Sequence, residues 1–466
     1  MAATLYRLWS ATVLRDPAAV AVVDASGGAT WTRSALDRAA VGWADSFRGA
    51  VGRAVSGRRV AMSVPNGAEW FEVFLGLLSL GAVPAPIDPS EPEAAQLAAA
   101  SSVGAAWIWR AGGPAPAASP GPGGGARRRR GAECLVKLTS GSSGSPRGLP
   151  ATHSQMEADG RQICRSMGIR PGDSNLAVIP LGYSYGLGNL VLPLVAQGTR
   201  VVCLASALPQ AIALDALRLR PTVFPAVPPI LAALVESDVP RDSFRSVRLV
   251  ISAGSPLPPE VARAFAAKFG VRVHGFYGTS ETGGIAFDSS GRATLEGRSV
   301  GKPLEGVSIT PGPRGRITVS SPAVLGRGRF SPADRASVNG MGELVLLGRT
   351  DRVVKVGGRR LDLAEVEAAM RSVPGIRDAF AHGAAGGEAP LAAAVATDLR
   401  APEIRRLLLG RLASWKIPGR IVAVREFPLT PRGKRDTVRL RQILCAPRTA
   451  TSISTLSADR QMSAPR

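Results

Sequence analysis

Up to about residue 300, short apolar runs alternate with apolar residues at helical spacing. The run at 58–64 is typical of a buried strand, and the residues that follow place four apolar side chains on one helix face: Phe71, Phe74, Leu75 and Leu78. The same criteria predict further strands over 134–138, 176–179, 200–204, 247–252 and 271–276, and helices over 230–235 and 260–268. This alternation predicts an α/β fold of mixed, mostly parallel sheets with packed helices.

The pattern changes near residue 307. Short strands are predicted over 315–320 and 343–347, and Asn339-Gly340 supplies a turn signal, which together indicate a small β subdomain. A compact unit then begins near residue 352, with a helix whose start carries the capping residues Asp362 and Glu365. This second unit is predicted to be a small α+β domain.

These shifts predict the division of the chain into domains. We expect a large N-terminal domain over 1–351, a small mobile α+β C-terminal domain over 352–445, and a flexible tail over 446–466. Residues 111–132 are rich in Pro, Gly and Ala, and we predict that they form a loop without regular structure.

Composition narrows the class of protein. The net charge is +22, which is typical of nucleic-acid binding, but only six of the 57 basic residues are lysine, and the arginines are spread along the chain. We interpret this bias as a consequence of base composition. The chain has no apolar run long enough for a transmembrane helix and no secretory leader pattern, so we expect a cytoplasmic protein. The four cysteines show no metal or disulfide spacing, and we expect reduced thiols.

The strongest local motif follows the predicted strand at 134–138. It runs Thr139-Ser140-Gly141-Ser142-Ser143-Gly144-Ser145-Pro146-Arg147-Gly148. Its glycines allow a tight turn with inward N–H groups, its hydroxyls add donors, and Arg147 adds positive charge. This combination suits a polyphosphate, although a flexible Ser/Gly linker would have a similar composition.

A second motif runs from Gly275 to Gly284 and contains Tyr277 and Glu281. A tyrosine ring can stack on a nucleobase, and a carboxylate beside phosphates can hold Mg²⁺. The alternative is a surface turn with a solvated glutamate. Two further segments are basic: 348–361, at the predicted domain boundary, and 428–436, a loop that carries Lys434.

The order, spacing and content of these four segments resemble the adenylate-forming superfamily, which includes acyl- and aryl-CoA ligases, peptide-synthetase adenylation domains and firefly luciferase. The resemblance covers nearly the whole chain and includes the stretches LGLLSLGAVPAPIDP, SAGSPLPPEV and SVGKPLEGV. It implies the superfamily's fold, a large N-terminal domain and a small mobile C-terminal domain.

The resemblance implies an ATP site. The residues that match the superfamily's ATP-binding positions are Thr139, Ser140, Gly141, Ser142, Ser143, Gly144, Arg147, Gly254, Ser255, Pro256, Tyr277, Gly278, Thr279, Ser280 and Asp334. In this correspondence Tyr277 stacks on adenine, Asp334 binds the ribose hydroxyls, and Glu281 coordinates Mg²⁺. Arg147 stands where the superfamily has lysine.

The resemblance also implies how the reaction proceeds. Lys434 matches the lysine that bridges the carboxylate and the α-phosphate, and Arg349 matches an arginine that reaches the ribose and phosphates. Attack by a carboxylate on a phosphate brings two anions together, so a cation and a metal suit the step better than a nucleophilic side chain. Asp351 matches the hinge between domains, and Gly358 matches a glycine beside the pantetheine tunnel.

The implied acid pocket is apolar and aromatic. Its candidate residues are Tyr183, Ser184, Gly186, Val227 and Gly283. The segment GYSYGLGN lacks the aspartate that pairs the substrate ammonium in amino-acid-activating relatives, so we expect a fatty or aryl acid.

The predicted function is an AMP-forming acyl- or aryl-CoA ligase that uses ATP, Mg²⁺ and coenzyme A. Two alternatives keep the adenylation step: transfer to the phosphopantetheine thiol of a carrier protein, or release of acyl-AMP. An alternative of another class is an inactive, basic nucleic-acid-binding homologue.

Overall fold

The computed structural model describes residues 4–25, 27–52, 54–113, 116–118, 133–140, 146–204, 206–349, 352–356, 359–383, 391–409, 411–412, 414–430 and 434–445. The chain divides into two compact units, Met1–Leu347 and Gly348–Arg466. Each unit has its own hydrophobic core.

Helices of the large unit begin at residues that can cap them. Thr4, Thr32 and Thr152 each accept a backbone N–H at a helix start, and Thr152 forms a complete capping box with Gln155. A π-helical turn over Leu187–Val191 lies between the sixth and seventh α-helices. The α-helices are α1 (Leu5–Arg15), α2 (Arg33–Val51), α3 (Ala68–Ser79), α4 (Glu93–Ser102), α5 (His153–Met167), α6 (Ser184–Gly186), α7 (Leu192–Gln197), α8 (Pro209–Leu219), α9 (Pro228–Glu236), α10 (Pro259–Phe269) and α11 (Arg292–Glu296).

The strands of this unit are short, and those inside the central sheet are largely buried. They are β1 (Val20–Asp24), β2 (Thr30–Thr32), β3 (Arg59–Ser63), β4 (Val83–Pro86), β5 (Trp107–Arg110), β6 (Ala117–Ala118), β7 (Glu133–Ser140), β8 (Pro146–Thr152), β9 (Ser174–Ala177), β10 (Arg200–Cys203), β11 (Val223–Ala226), β12 (Leu249–Ser252), β13 (Val273–Thr279), β14 (Gly283–Phe287), β15 (Lys302–Pro303), β16 (Ser308–Pro311), β17 (Ile317–Ser320), β18 (Arg329–Phe330) and β19 (Asp334–Val338). Strand β20 (Leu344–Arg349) crosses the boundary into the small unit.

The central sheet has nine strands in the order β15-β14-β13-β12-β11-β9-β10-β1-β2. Its inner strands pair in parallel, whereas β14 and β15 at one edge and β2 at the other are antiparallel. The carboxyl ends of β11, β12 and β13 therefore meet at one edge of the sheet. Ligands of open α/β sheets bind at this kind of edge. The mostly parallel α/β prediction is confirmed.

A second sheet has the order β4-β3-β5-β6, and β7 pairs with β8 as a separate hairpin. The prediction that 111–132 holds no regular structure is wrong at Ala117–Ala118, which pairs antiparallel with Trp107–Ile108. The short edge strand tolerates the surrounding prolines because an edge strand needs only one set of ladder hydrogen bonds. A small β subdomain follows, with β16-β17-β18 in one sheet and β19-β20 in another.

The small unit contains the hairpin β21 (Val353–Val356) and β22 (Arg359–Asp362), the sheet β23 (Ile376–Gly383), β24 (Leu391–Thr397) and β25 (Arg420–Val424), and the helices α12 (Leu363–Arg371), α13 (Ala401–Leu409) and α14 (Thr437–Cys445). Glu367 on α12 is buried, and its carboxylate pairs with Arg352 and accepts the backbone N–H of Ala381 at 2.8 Å. This contact joins α12 to β23.

An aromatic cluster supports the central sheet on its α9–α10 face. Phe244 is 1% exposed; its ring stacks on Phe224 at 5.2 Å and contacts Phe265 and Phe269. We expect Phe244→Ala to lower the free energy of unfolding of the large unit by about 3–5 kcal/mol, because it leaves a cavity among close-packed rings. The measurement is urea denaturation followed by circular dichroism. The control is Leu214→Ala, at a side chain that is 60% exposed, which should change the free energy of unfolding by less than about 0.5 kcal/mol. Equal effects from the two variants would contradict this account of the core.

Candidate active site

The turn between β13 and β14 lies at the carboxyl edge of the central sheet. Tyr277 is buried on β13, and its hydroxyl donates a hydrogen bond to Asp334 Oδ2 at 2.8 Å. The strands approach closely here, since a Cβ at Gly278 would lie 2.5 Å from the carbonyl oxygen of Gly283. The structure thus brings Tyr277 and Asp334, 57 positions apart, into direct contact.

Hydroxyl groups close the same turn. Thr282 Oγ1 lies 3.0 Å from Thr279 Oγ1 and accepts the Thr279 N–H at 3.3 Å. Between them, the Glu281 carbonyl accepts the Leu325 N–H at 2.8 Å. The Glu281 side chain is half-buried and makes no hydrogen bond or ion pair with the residues that the structure describes. Its carboxylate can therefore serve as a ligand.

The turn offers one carboxylate, Glu281, and a single carboxylate is enough for a Mg²⁺ ion that is also bound by water and phosphate. The described ranges contain no group of three or more His, Cys, Asp or Glu side chains placed to hold a metal ion. Mg²⁺ commonly keeps several waters and binds through one or two carboxylates together with substrate phosphates. Glu281 is the residue here that would hold such an ion.

Two other predicted ATP segments occupy positions near strand ends. Gly254, Ser255 and Pro256 follow β12 and are exposed, and Gly254 has a φ of +90°. Thr139 and Ser140 end β7, Arg147 is exposed near the start of β8, and Thr139 Oγ1 donates to the Arg147 carbonyl at 3.4 Å. Four predicted ATP residues lie outside the described residues: Gly141, Ser142, Ser143 and Gly144.

The predicted acid-pocket segment meets the same turn. Ser184 Oγ donates to Ser280 Oγ at 2.9 Å, which joins α6 to the β13–β14 turn. The Tyr183 hydroxyl donates to Asp88 Oδ2. Gly186 cannot carry a side chain, because a Cβ there would lie 2.0 Å from the Pro180 carbonyl oxygen.

Aromatic side chains border this junction. The Tyr185 ring lies 6.0 Å from that of Phe276, and its hydroxyl donates to the Ile251 carbonyl at 2.9 Å. Burial raises the pKa of Tyr185 well above its ordinary value, so the phenol stays protonated. Val227 caps α9 at the end of β11 and packs partly buried against the core.

A buried ion pair beneath the turn was missed from the sequence. Lys137 on β7 and Asp159 on α5 are both 2% exposed, and Lys137 Nζ lies 4.0 Å from Asp159 Oδ2. Asp159 Oδ1 also accepts the Gly284 N–H at 3.0 Å. The one sequence signal is a lysine inside the apolar run CLVKL.

In the small unit, Lys434 lies on an exposed turn. The Thr430 N–H donates to the Lys434 carbonyl at 2.6 Å, and the Lys434 N–H donates to Thr430 Oγ1 at 3.3 Å. The next residue, Arg435, anchors this turn through two hydrogen bonds to the Asp378 carboxylate, at 2.7 and 2.6 Å, and lies over the Phe427 ring. Sequence analysis missed Arg435 and Asp378.

The remaining predicted residues lie around the boundary between the units. Arg349 ends β20, and the structure describes only its backbone. Asp351 and Gly358 lie outside the described residues. Their roles stay predictions.

The chain is similar in sequence to known enzymes. The sequence model of the AMP-binding enzyme family matches residues 9–118 and 126–323, and that of the AMP-binding enzyme C-terminal domain matches residues 365–434. A benzoate–CoA ligase of Thauera aromatica is 28% identical over 355 residues, which cover 66% of this chain and 65% of that protein. A phenyloxazoline synthase of Mycolicibacterium paratuberculosis is 30% identical over 479 residues, which cover 91% of this chain and 40% of that protein. The chain thus spans less than two thirds of the length of both relatives.

The fold is also that of a solved structure. The O-succinylbenzoate coenzyme A synthetase of Bacillus subtilis, in complex with AMP, superposes with a TM-score of 0.80 at 22% identity, covering 95% of this chain and 98% of that chain. Every helix within the described ranges is too short or too polar to cross a bilayer.

The buried carboxylate beneath the turn gives a prediction for Gly283. Its φ is +70°, and a Cβ there would lie 2.3 Å from Asp159 Oδ1, whereas Gly270 has a φ of +73° and open space around its Cβ position. We expect Gly270→Ala to lower the free energy of unfolding by about 1–2 kcal/mol through backbone strain alone. Gly283→Ala should lower it by about 2 kcal/mol more, because the methyl group displaces the carboxylate. Urea denaturation of both variants measures the difference, and equal losses would show that Asp159 does not restrict this position.

Proposed function

The chain belongs to the AMP-binding enzyme family of the adenylate-forming superfamily, and from this premise we propose that it activates a carboxylic acid with ATP. A carboxylate oxygen attacks the α-phosphorus, the bond to pyrophosphate breaks, and an acyl-adenylate forms. The observation that carries the proposal is the contact of Tyr277 with Asp334 beside Glu281 at the carboxyl edge of the sheet.

ATP binds at this edge in the proposal. The Tyr277 ring offers a face for adenine, Gly254 to Pro256 border the other side of the base, and Asp334 accepts hydrogen bonds from the ribose hydroxyls. The segment from Thr139 to Arg147 holds the phosphates, with Arg147 as its cation. Gly278, Thr279 and Ser280 complete the site. Buried Tyr277 is fixed by its hydrogen bond to Asp334, so the ring is oriented before ATP arrives.

Charge neutralisation is the main catalytic task. When bound to Glu281, Mg²⁺ would supply positive charge beside the leaving pyrophosphate. Lys434 binds the acid carboxylate and the α-phosphate together, and Arg349 binds the ribose and phosphates. No general base is required, because a carboxylic acid is already ionised near pH 7.

The acid pocket lies between the Tyr183–Gly186 segment and the β13–β14 turn in this proposal. Tyr183, Ser184, Gly186, Val227 and Gly283 form its walls. The aromatic neighbours Tyr185 and Phe276 favour a substrate with an apolar body, so we propose a fatty or aryl acid. The benzoate–CoA ligase relative supports the aryl alternative.

The acceptor in the proposal is the thiol of coenzyme A. Its sulfur attacks the acyl carbon, AMP leaves, and the thiol proton passes to solvent. Rotation of the small domain about Asp351 would bring Gly358 beside the pantetheine arm. A carrier-protein thiol carries the same arm and is the second candidate, supported by the phenyloxazoline synthase relative.

The decisive experiment is ATP–pyrophosphate exchange across fatty, aryl and amino acids, repeated with coenzyme A to detect thioester. We expect exchange with a fatty or aryl acid, followed by thioester formation. Exchange without thioester would favour a carrier protein or release of acyl-AMP. Salt-dependent DNA binding without exchange would contradict the proposal in favour of an inactive nucleic-acid-binding protein.

Removing the charge of Glu281 tests the metal ligand. We expect Glu281→Gln to lower kcat/KM for ATP in the exchange reaction about 10²-fold, because the amide keeps the shape but loses the anion that holds Mg²⁺. The deficit should shrink as Mg²⁺ is raised. Glu305→Gln is the control, since Glu305 is an exposed partner of Arg165 and should leave exchange unaltered. A variant with near-normal exchange at limiting Mg²⁺ would exclude Glu281 as the ligand.

Lys434→Ala tests whether the two half-reactions use different residues. We expect adenylation to slow about 10²–10³-fold through loss of one charge-assisted contact, with thiolysis of a supplied acyl-adenylate nearly intact. Gly358→Leu should leave adenylation nearly intact and slow thiolysis. Lys416→Ala is the matched lysine control in the same unit, where Lys416 pairs with Glu365. If Lys434→Ala and Gly358→Leu slowed both steps equally, a single fixed site would replace the two-step arrangement.

A further inference from the structure

Lys137 and Asp159 form a buried pair that is too far apart for a direct hydrogen bond. Their side chains are 2% and 3% exposed, and the Nζ to Oδ2 distance is 4.0 Å. Burial raises the pKa of Asp159, while Lys137 and the Gly284 N–H oppose that shift. Within the described ranges, the Lys137 ammonium donates no hydrogen bond. An ammonium has three donors, and leaving them unused in the interior is costly.

The pair lies between two segments that wall the proposed acid pocket. Asp159 Oδ1 is 2.3 Å from the Cβ position of Gly283, and Asp159 Oδ2 is 3.7 Å from that of Gly188. Gly283 ends the β13–β14 turn, and Gly188 follows α6 in the π-helical turn. The Ser184–Ser280 hydrogen bond joins the same two segments. Because Gly283 and Gly188 carry no side chain, neither of them covers the carboxylate with one.

We propose that Lys137 and Asp159 bind a hydroxyl group carried by the acid substrate, which makes them specificity-determining residues. This inference rests on the proposed function and narrows its substrate class to hydroxy-substituted acids. A hydroxyl both donates and accepts, so it can donate to Asp159 Oδ2 while it accepts from Lys137 Nζ. One oxygen at about 2.8 Å from each atom spans a 4.0 Å gap with an angle of about 90°.

Charge balance excludes charged substituents. The pair is neutral as a whole, so a second carboxylate or an ammonium on the acid would bring an uncompensated charge into a buried site. A purely apolar acid would leave the ammonium without an acceptor. A hydroxyl satisfies both groups and adds no charge. A bound water could do the same, and the pair would then only support the β13–β14 turn.

The first test uses the unaltered enzyme with matched acids. The probes are benzoate with its 2-, 3- and 4-hydroxy forms, and hexanoate with its monohydroxy forms, each assayed for kcat/KM in pyrophosphate exchange. We expect one hydroxylated acid to exceed its parent at least tenfold, because sites built around a hydroxyl reject analogues that lack it. No gain for any hydroxylated acid would overturn the inference. Absence of exchange with every acid would instead overturn the proposed function, and this inference with it.

The second test asks whether Lys137 and Asp159 cause the preference for the hydroxy acid. In Lys137→Met and Asp159→Asn, the ratio of kcat/KM for the preferred hydroxy acid to that for its parent should fall toward one. The ratio is the readout because a general loss of folding or activity lowers both values together. Lys268→Met is the matched control, since Lys268 is a partly buried lysine that donates to carbonyls at the end of α9, and its ratio should equal that of the unaltered enzyme. A ratio that persists in both Lys137 and Asp159 variants would show that the pair serves only the turn.

Discussion

The candidate site depends on how closely β13 and β14 approach each other at Gly278 and Gly283. A Cβ at Gly278 would meet the Gly283 carbonyl, and Gly283 itself has a φ of +70° that favours glycine. This tight hairpin carries Tyr277 on one strand, where its hydroxyl reaches Asp334, and Gly284 on the other, where its N–H reaches Asp159. One backbone constraint therefore positions both the proposed adenine-binding face and the buried carboxylate.

In the small unit, an ion pair rather than close backbone packing holds the turn that carries Lys434. Lys434 lies on an exposed turn, and its neighbour Arg435 supplies the anchor. A planar guanidinium that donates twice to the Asp378 carboxylate fixes direction as well as distance, and the ring of Phe427 covers its face. The backbone that carries Lys434 thus has a fixed base. In the proposed reaction, a lysine on an exposed turn can approach the substrate in one step and withdraw in the next.

The sequence predicted the elements whose apolar pattern is continuous. The predicted strands over 200–204 and 247–252 correspond to β10 and β12, because buried parallel strands are short apolar runs bounded by turn residues. The predicted strand over 271–276 ended three residues too early. Gly278 and Thr279 read as a turn, yet they remain extended because they pair with β14. Local pattern cannot reveal that partner, since the pairing is set by the hairpin as a whole.

The site was predicted unevenly for a related reason. Residues in compact motifs, such as Tyr277 and Glu281, are visible from spacing, whereas Asp159 acts through contacts with residues far along the chain, Lys137 and Gly284. Helix α5 carries charged residues at several positions, and nothing in its sequence distinguishes a buried aspartate from a solvated one. Only tertiary packing determines which of these carboxylates is buried away from solvent.

The scarcity of lysine bears on the meaning of the buried pair. Arginine supplies all but six of the 57 basic residues, and two of the lysines, Lys137 and Lys268, lie at buried or partly buried positions where a compact ammonium fits. Lys268 shows one such place, where three donors meet the carbonyls of Leu234, Val235 and Ser237. Lys137 is more deeply buried than Lys268, but no carbonyl among the described residues accepts a hydrogen bond from its ammonium. An arginine there would bury five donors in place of three. In the proposed interaction, the compact ammonium therefore needs only a small acceptor that enters with the substrate.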